Sequence, residues 1–176
     1  MQMRIISIVL ISLVTILIRV NVAGSEEQWP EWNDSVRLDF GKCLYSEDSS
    51  GTDWPAIGWS LVKQWKLKRS RLKGHAFHRQ VLWYCAVFEK SGPKWLGRRP
   101  RLILEATWGS PPYARDAKKW KALKSFVDRF ERKAIADPCP VCIWWGGPKY
   151  DLIPKNWECP LTPPVTKNVF CYVRPR

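Results

Sequence analysis

Residues 54–88 read WPAIGWSLVKQWKLKRSRLKGHAFHRQVLWYCAVF and contain no Asp or Glu. Lys63, Lys66, Lys68, Arg69, Arg71, Lys73 and Arg79 give the stretch seven fixed positive charges. Trp54, Trp59, Trp65, Phe77, Trp83, Tyr84 and Phe88 are interleaved with them. Such a segment can bury aromatic faces and still aim cations at an anionic partner. A charge run is ordinarily a solvated face and a Trp ordinarily core. Ordinary surfaces mix signs, however, and an unmixed cationic field raises encounter rates with polyanions. The stretch therefore reads as a binding segment, with Trp59, Trp65 and Trp83 as candidate interface aromatics.

Two other groupings could do chemistry. His75 and His78 lie beside Lys73 and suggest the acid, base and cation of a ribonuclease. Their i, i+3 spacing fits poorly, because acid and base should stand on opposite sides of a phosphate. Cys139-Pro140-Val141-Cys142 is a CxxC, and with Cys159 and Cys171 it could form a four-thiolate zinc site. A redox role would want a helix N-terminus, whereas this CxxC follows a helix end. No GxSxG, HExxH or P-loop pattern occurs, so the reading is a binding protein without cofactor or metal rather than an enzyme.

The compartment decides between zinc and disulfides. Met1–Arg4 is a short basic segment, Ile5–Ile18 an apolar one, and Val22-Ala23-Gly24 supplies small residues for cleavage, the pattern of a secretory signal peptide over 1–24. An uncleaved anchor is the competing reading. The sequence of 176 residues carries a net charge of +13. Loss of residues 1–24 leaves 27 basic against 16 acidic side chains, a net +11. A secreted cation of this size does not meet intracellular nucleic acid. Its partners are an anionic glycan, lipopolysaccharide, a membrane surface or an acidic protein receptor. The six Cys (Cys43, Cys85, Cys139, Cys142, Cys159, Cys171) then read as three disulfides. Fifteen connectivities are open for six Cys. The simplest partition is Cys43–Cys85 in the body and two bridges within the tail.

These residues must be held by a domain of one-domain size. Asn33-Asp34-Ser35 is a glycosylation sequon at Asn33. Val36–Tyr45 alternates like a strand, with Val36, Leu38 and Phe40 on one face. Ile57–Leu67 fits either period and leans towards a strand that enters a basic turn near Ser70–Gly74. Gln80–Glu89 is β-branched and aromatic, the best strand of the chain. Arg101–Trp108 is another, with Leu102, Leu104 and Ala106 on one face. Ser110 and Pro111 start a helix to about Ile135, whose buried stripe is Trp120, Leu123, Val127, Phe130 and Ala134, with Phe126 beside it. The architecture expected is α+β: a small antiparallel sheet packed against one long helix over 25–137. A Cys-, Pro- and Trp-rich irregular tail over 138–176 is stapled to it by disulfides.

The order of Cys43 strand, basic aromatic stretch, Cys85 strand, strand and helix resembles the anti-lipopolysaccharide factors of arthropods. Local matches are Trp32-Asn33-Asp34-Ser35-Val36, Asp39-Phe40-Gly41-Lys42-Cys43, Trp83-Tyr84-Cys85, Ser125-Phe126-Val127 and Arg132-Lys133-Ala134, all within residues 32–135. The resemblance implies a four-stranded sheet flanked by helices and lipid A binding through a basic, disulfide-closed hairpin. It implies Lys63, Lys66, Lys68, Arg69, Arg71 and Lys73 as the anion-binding set. The Cys43–Cys85 loop is longer than the family's, and the Cys-rich tail has no counterpart there. The leading function is host defence by binding anionic microbial surfaces. The alternative is a secreted receptor-binding protein such as a virus-derived envelope glycoprotein fragment, and the third is a secreted ribonuclease.

Overall fold

The computed structural model describes residues 28–72, 74–88, 99–146, 156–162 and 165–173. The expected signal segment 1–24 and Lys73 lie outside them. Helix α1 (Asp34–Glu47) starts at Asn33, whose Oδ1 accepts the Val36 N–H at 2.9 Å. That cap satisfies one of the donors a helix start leaves open. Val36, Phe40, Cys43 and Leu44 are buried, at i, i+4, i+7 and i+8, the helical period. The strand expected here rested on Leu38 sharing the buried face, and Leu38 is only half-buried.

Helix α2 (Trp54–Arg69) carries Pro55 in its first turn, where no N–H is needed. Ile57, Leu61 and Trp65 are buried one turn apart, so the helical period wins over the strand reading of 57–67. Gly58 lets the helix approach closely: a Cβ there would lie 2.9 Å from Phe130 Cε2 and 3.1 Å from Phe40 Cζ. Gly74 then turns the chain at φ +73°, a conformation that costs glycine nothing. Helix α3 (Phe77–Tyr84) buries Phe77, Gln80 and Val81, an i, i+3, i+4 set, and a 3-10 turn at Ala86–Phe88 follows. Over 80–88 the expected strand is thus replaced by helix and a 3-10 turn, and Glu89 lies outside the described residues. The β-branched and aromatic residues follow tertiary contacts and not propensity.

Helix α4 (Arg99–Glu105) reverses another strand expectation. Ile103 and Ala106 are buried, while Leu102 and Leu104, expected to share a face with Ala106, are 42% and 43% exposed. Ser110 pairs with Thr107 in an isolated bridge and caps nothing. After a 3-10 turn at Ala114–Asp116, helix α5 runs from Ala117 to Glu131, later in its start and earlier in its end than expected. Trp120, Leu123, Val127 and Phe130 of the expected stripe are buried, whereas Ala134 lies beyond the helix end and is exposed. The helix stops because Lys133 takes φ +58° and the Lys133 and Ala134 N–H groups return to Phe130 and Arg129 C=O, both at 2.9 Å. This is the left-handed ending that closes open carbonyls.

The class is α+β, with the sheet in the tail rather than in the body. Strands β1 (Trp144–Gly146), β2 (Trp157–Leu161) and β3 (Val169–Val173) pair antiparallel in the order β1-β3-β2. Trp145 faces Phe170, and Leu161 faces Phe170 from the other side across an irregularity after Glu158. Pro160 sits in that irregularity, where a residue without an N–H is tolerated. The described part of the tail therefore forms a sheet where an irregular lobe was expected. Phe170 is fully buried and Trp145 nearly so, and β1 packs on α2.

Three disulfides tie the layers. Cys43–Cys85 joins α1 to the end of α3, Cys139–Cys142 closes the CxxC, and Cys159–Cys171 links β2 to β3. The expected partition between body and tail holds, and three disulfides fit an oxidising compartment. Buried Asp53 holds the tail further: its carboxylate accepts the Lys167 N–H, the Asn168 N–H at 2.7 Å and the Asn168 side-chain amide at 2.9 Å. Residues that the family resemblance places in a four-stranded sheet are helical. The Cys43–Cys85 loop contains the helix pair α2 and α3 instead of a hairpin. Among the described residues no helix is long and apolar enough to cross a membrane.

Candidate functional site

The end of α2 and the whole of α3 bring part of the basic aromatic stretch to one surface. Trp83 lies at its centre, 57% exposed, with Tyr84 beside it at 39%. The Lys68 ammonium stands 5.0 Å from the Trp83 ring and 4.4 Å from the Tyr84 ring. Arg79, one turn before Trp83 on α3, lies 5.9 Å from the same indole. Contacts of this length draw a cation to the ring face. The His75 ring packs against the indole, tilted, at 5.2 Å. Arg69 covers Trp65 at 5.3 Å, and Arg71 is exposed in the following turn. Leu67 and Leu72, on either side of Lys68, Arg69 and Arg71 in the chain, are each 50% exposed. Leu72 follows Lys68 by one turn, its N–H reaching the Lys68 carbonyl at 2.8 Å.

Charge balance separates this surface from the clefts nearby. Among the described residues Lys68, Arg69, Arg71 and Arg79 make no ion pair. A cleft of about 610 Å³ between α1 and α5 is different: Arg37, Lys124 and Arg132 face Asp34, Asp128 and Glu131 there. Its signs cancel, so it offers no net field to an anion. A second cleft, of about 440 Å³, adjoins the Trp83 surface and shares Arg69 and His75 with it, but Glu31 lies in its wall.

The other candidate residues separate. Lys63 is structural: its ammonium is 2.7 Å from Asp137 and donates to the Cys139 carbonyl at 2.5 Å. Burial lowers its pKa, with Asp137 opposing. Lys66 is half-buried and engaged, beside Trp65 and Arg69. Trp65 is 2% exposed and donates to the His75 carbonyl at 2.8 Å. Trp59 is half-buried, donates to the Ile135 carbonyl and packs on Trp29 and Phe130. Of the three candidate interface aromatics, only Trp83 faces outward. Asn33 is exposed, and its Oδ1 takes the cap bond and the Ser35 hydroxyl. That leaves the amide nitrogen of the sequon outside both bonds.

The two histidines do not converge. His75 is buried, its Nε2 3.1 Å from Gln80 Oε1; the Gln80 amide donates to Gln64 Oε1, and the Gln64 amide to the Ile143 carbonyl. Since Gln80 spends its amide on Gln64, its oxygen must accept, and His75 Nε2 carries the proton. This buried polar chain runs from beneath Trp83 to the tail. His78 instead meets Asp39 on α1 at 2.8 Å. Sequence reasoning left Arg79, Tyr84, Leu67 and Leu72 out of the candidate set. A helical reading of 77–84 would have placed Arg79 and Trp83 together, since i and i+4 are neighbours on a helix.

No family model, curated protein or solved structure matches the chain.

Proposed function

We propose that the chain is a secreted, disulfide-bonded binding protein that engages anionic microbial surfaces in host defence, through the surface around Trp83. One observation carries this reading: an indole that is 57% exposed has Lys68 and Arg79 against its ring, and these two cations, with Arg69 and Arg71 at and just after the end of α2, make no ion pair among the described residues. A protein that needed those charges only for solubility would intersperse acids among them. An exposed indole costs solubility and yields contact area when a partner covers it. The three disulfides suit an extracellular setting. The arthropod anti-lipopolysaccharide factors supply an analogy of chemistry, a basic aromatic surface against an anionic glycolipid. The fold differs, so the analogy extends no further.

The test is equilibrium binding of the secreted protein to lipopolysaccharide, to anionic vesicles and to neutral vesicles, at low salt and near 0.5 M salt. Screening shrinks to a few Å near 0.5 M. The expected result is binding to the anionic surfaces alone, weakening steeply with salt. Salt-insensitive binding, or none to any anionic surface, refutes the proposal. Saturable binding to one cell type without affinity for lipid or lipopolysaccharide would favour the receptor-binding reading instead.

A further inference from the structure

Resting on that reading, we infer that the Trp83 surface docks on anionic phospholipid headgroups, with its apolar side chains entering the interfacial layer. Charge alone does not distinguish a lipid from a glycan; the apolar residues do. A soluble anionic glycan would be matched by the cations and would leave Leu67 and Leu72, each 50% exposed, and Trp83, 57% exposed, without partners. A headgroup layer satisfies both parts at once. The indole prefers the boundary between hydrocarbon and water, and aliphatic side chains reach below it. Lys and Arg stems lie along apolar surface while their charged ends stay at phosphate depth.

The geometry suits that order of depths. Lys68 and Arg79 are held against the Trp83 ring at 5.0 and 5.9 Å, so the cations flank the inserting group. Leu72 follows Lys68 by one turn, joined to it by a backbone hydrogen bond, and its side chain is 50% exposed. The outward pose of Trp83 is fixed from behind by the buried His75 ring, itself hydrogen-bonded to Gln80. The docking therefore needs no rearrangement of the core. It is attachment at the surface of a bilayer, driven by apolar insertion together with attraction to anionic lipid.

The experiment uses the folded, disulfide-bonded protein with two probes: vesicles of phosphatidylglycerol and phosphatidylcholine, and heparin as a lipid-free polyanion. The variants are Trp83→Ala, Trp83→Phe and Leu72→Ser, each checked by circular dichroism. Leu72→Ser keeps the question answerable if loss of the indole disturbs His75. Trp83→Ala and Leu72→Ser should each weaken vesicle binding, Trp83→Ala at least tenfold, while heparin affinity stays within about twofold. Vesicles with brominated acyl chains should quench the wild-type fluorescence, and the Trp83→Phe variant should lose most of that quenching. Equal loss for vesicles and heparin, or quenching unchanged in Trp83→Phe, overturns the lipid-docking inference. Wild-type binding to heparin without binding to vesicles also overturns it and leaves the broader anion-binding reading standing. Binding to neither probe removes both.

Discussion

Asp53 offers a sharp test of how the tail is held. The residue is fully buried, and three N–H groups point at its carboxylate. Lys167 N–H is shared between the two oxygens at 3.1 and 3.0 Å, and Asn168 gives its backbone and side-chain N–H to Oδ2. The Asp53 N–H donates in turn to Asp48 at 2.8 Å. Hydrogen bonds to charged groups contribute about 1.5–3 kcal/mol each, and a buried donor left open costs about 1–3. Asp53→Ala orphans three donors and should cost about 3 kcal/mol. The total is bounded, because the 167–168 turn can lift and rehydrate. Asp53→Asn keeps the shape, yet its amide must face a donor, Lys167 N–H if the oxygen replaces Oδ2. The loss of charge and that contact should cost about 2 kcal/mol. Urea denaturation measures both values, and hydrogen exchange at the Lys167 and Asn168 amides reports the local release. If both variants stay within about 0.5 kcal/mol of wild type, the carboxylate is not what holds the tail, and the buried geometry assigned to it is wrong.

Gly58→Ala should destabilise by about 1–3 kcal/mol, the usual cost of overpacking. Its Cβ would sit 2.9 Å from Phe130 and 3.1 Å from Phe40; an unchanged melting temperature would mean that α2 and α5 do not approach there. Replacing Cys43 and Cys85 together by Ala opens a loop with a sequence separation of 42, worth about 4 kcal/mol in the chain-entropy model; denaturation without reductant would show no difference if the pair were unbonded. Acid should weaken the fold below about pH 4. Burial raises the Asp48 carboxyl, but the Ser50 hydroxyl, the Asp53 and Ser50 N–H groups and Lys167 outweigh it, leaving its pKa below the ordinary value. The hydrogen bond from Arg37 likewise holds Glu131 low, against burial. Depressed carboxyls stabilise the fold above their unfolded pKa, and that contribution is lost as pH falls through the folded value. Melting temperatures between pH 5 and 2 should fall less steeply in Asp48→Asn than in wild type, and identical slopes would contradict the assignment.

What could be read from the chain follows from which signals were local. The stripe Trp120, Leu123, Val127 and Phe130 repeats within one long segment, so its helix was legible without the rest of the fold. The disulfide partition was legible from spacing, since four Cys crowd the tail and two stand upstream. The short segments were not. Val36–Tyr45 and Gln80–Glu89 are apolar runs that fit a helix or a strand, and the choice falls to distant partners. Phe40 packs on Phe130, and Cys85 bonds to Cys43, contacts no window of sequence contains. The strand Val169–Val173 did carry a local signal in VFCYV, but the surrounding Pro and Cys concealed it within a segment read as irregular. At the candidate site the same division applies. The acid-free window was legible as a run of cations and aromatics, whereas the inward turn of Lys63 and Trp59 depends on Asp137, Ile135 and Phe130, and that of Trp65 on His75 and Phe77.

The central claim is that this surface, and not the overall charge, binds anions. It is tested by comparing two fourfold Ser variants with the same loss of charge. One replaces Lys68 and Arg79 beside Trp83 together with Arg69 and Arg71 at and just after the end of α2. The other replaces Lys118, Lys121, Lys124 and Arg129 on the exposed face of α5. Both should fold, since none of these eight side chains makes an ion pair among the described residues. Binding to lipopolysaccharide at low salt should fall at least tenfold in the first variant, about 1.4 kcal/mol, and less than threefold in the second. Equal losses in the two variants, or wild-type affinity in the first, would contradict the claim.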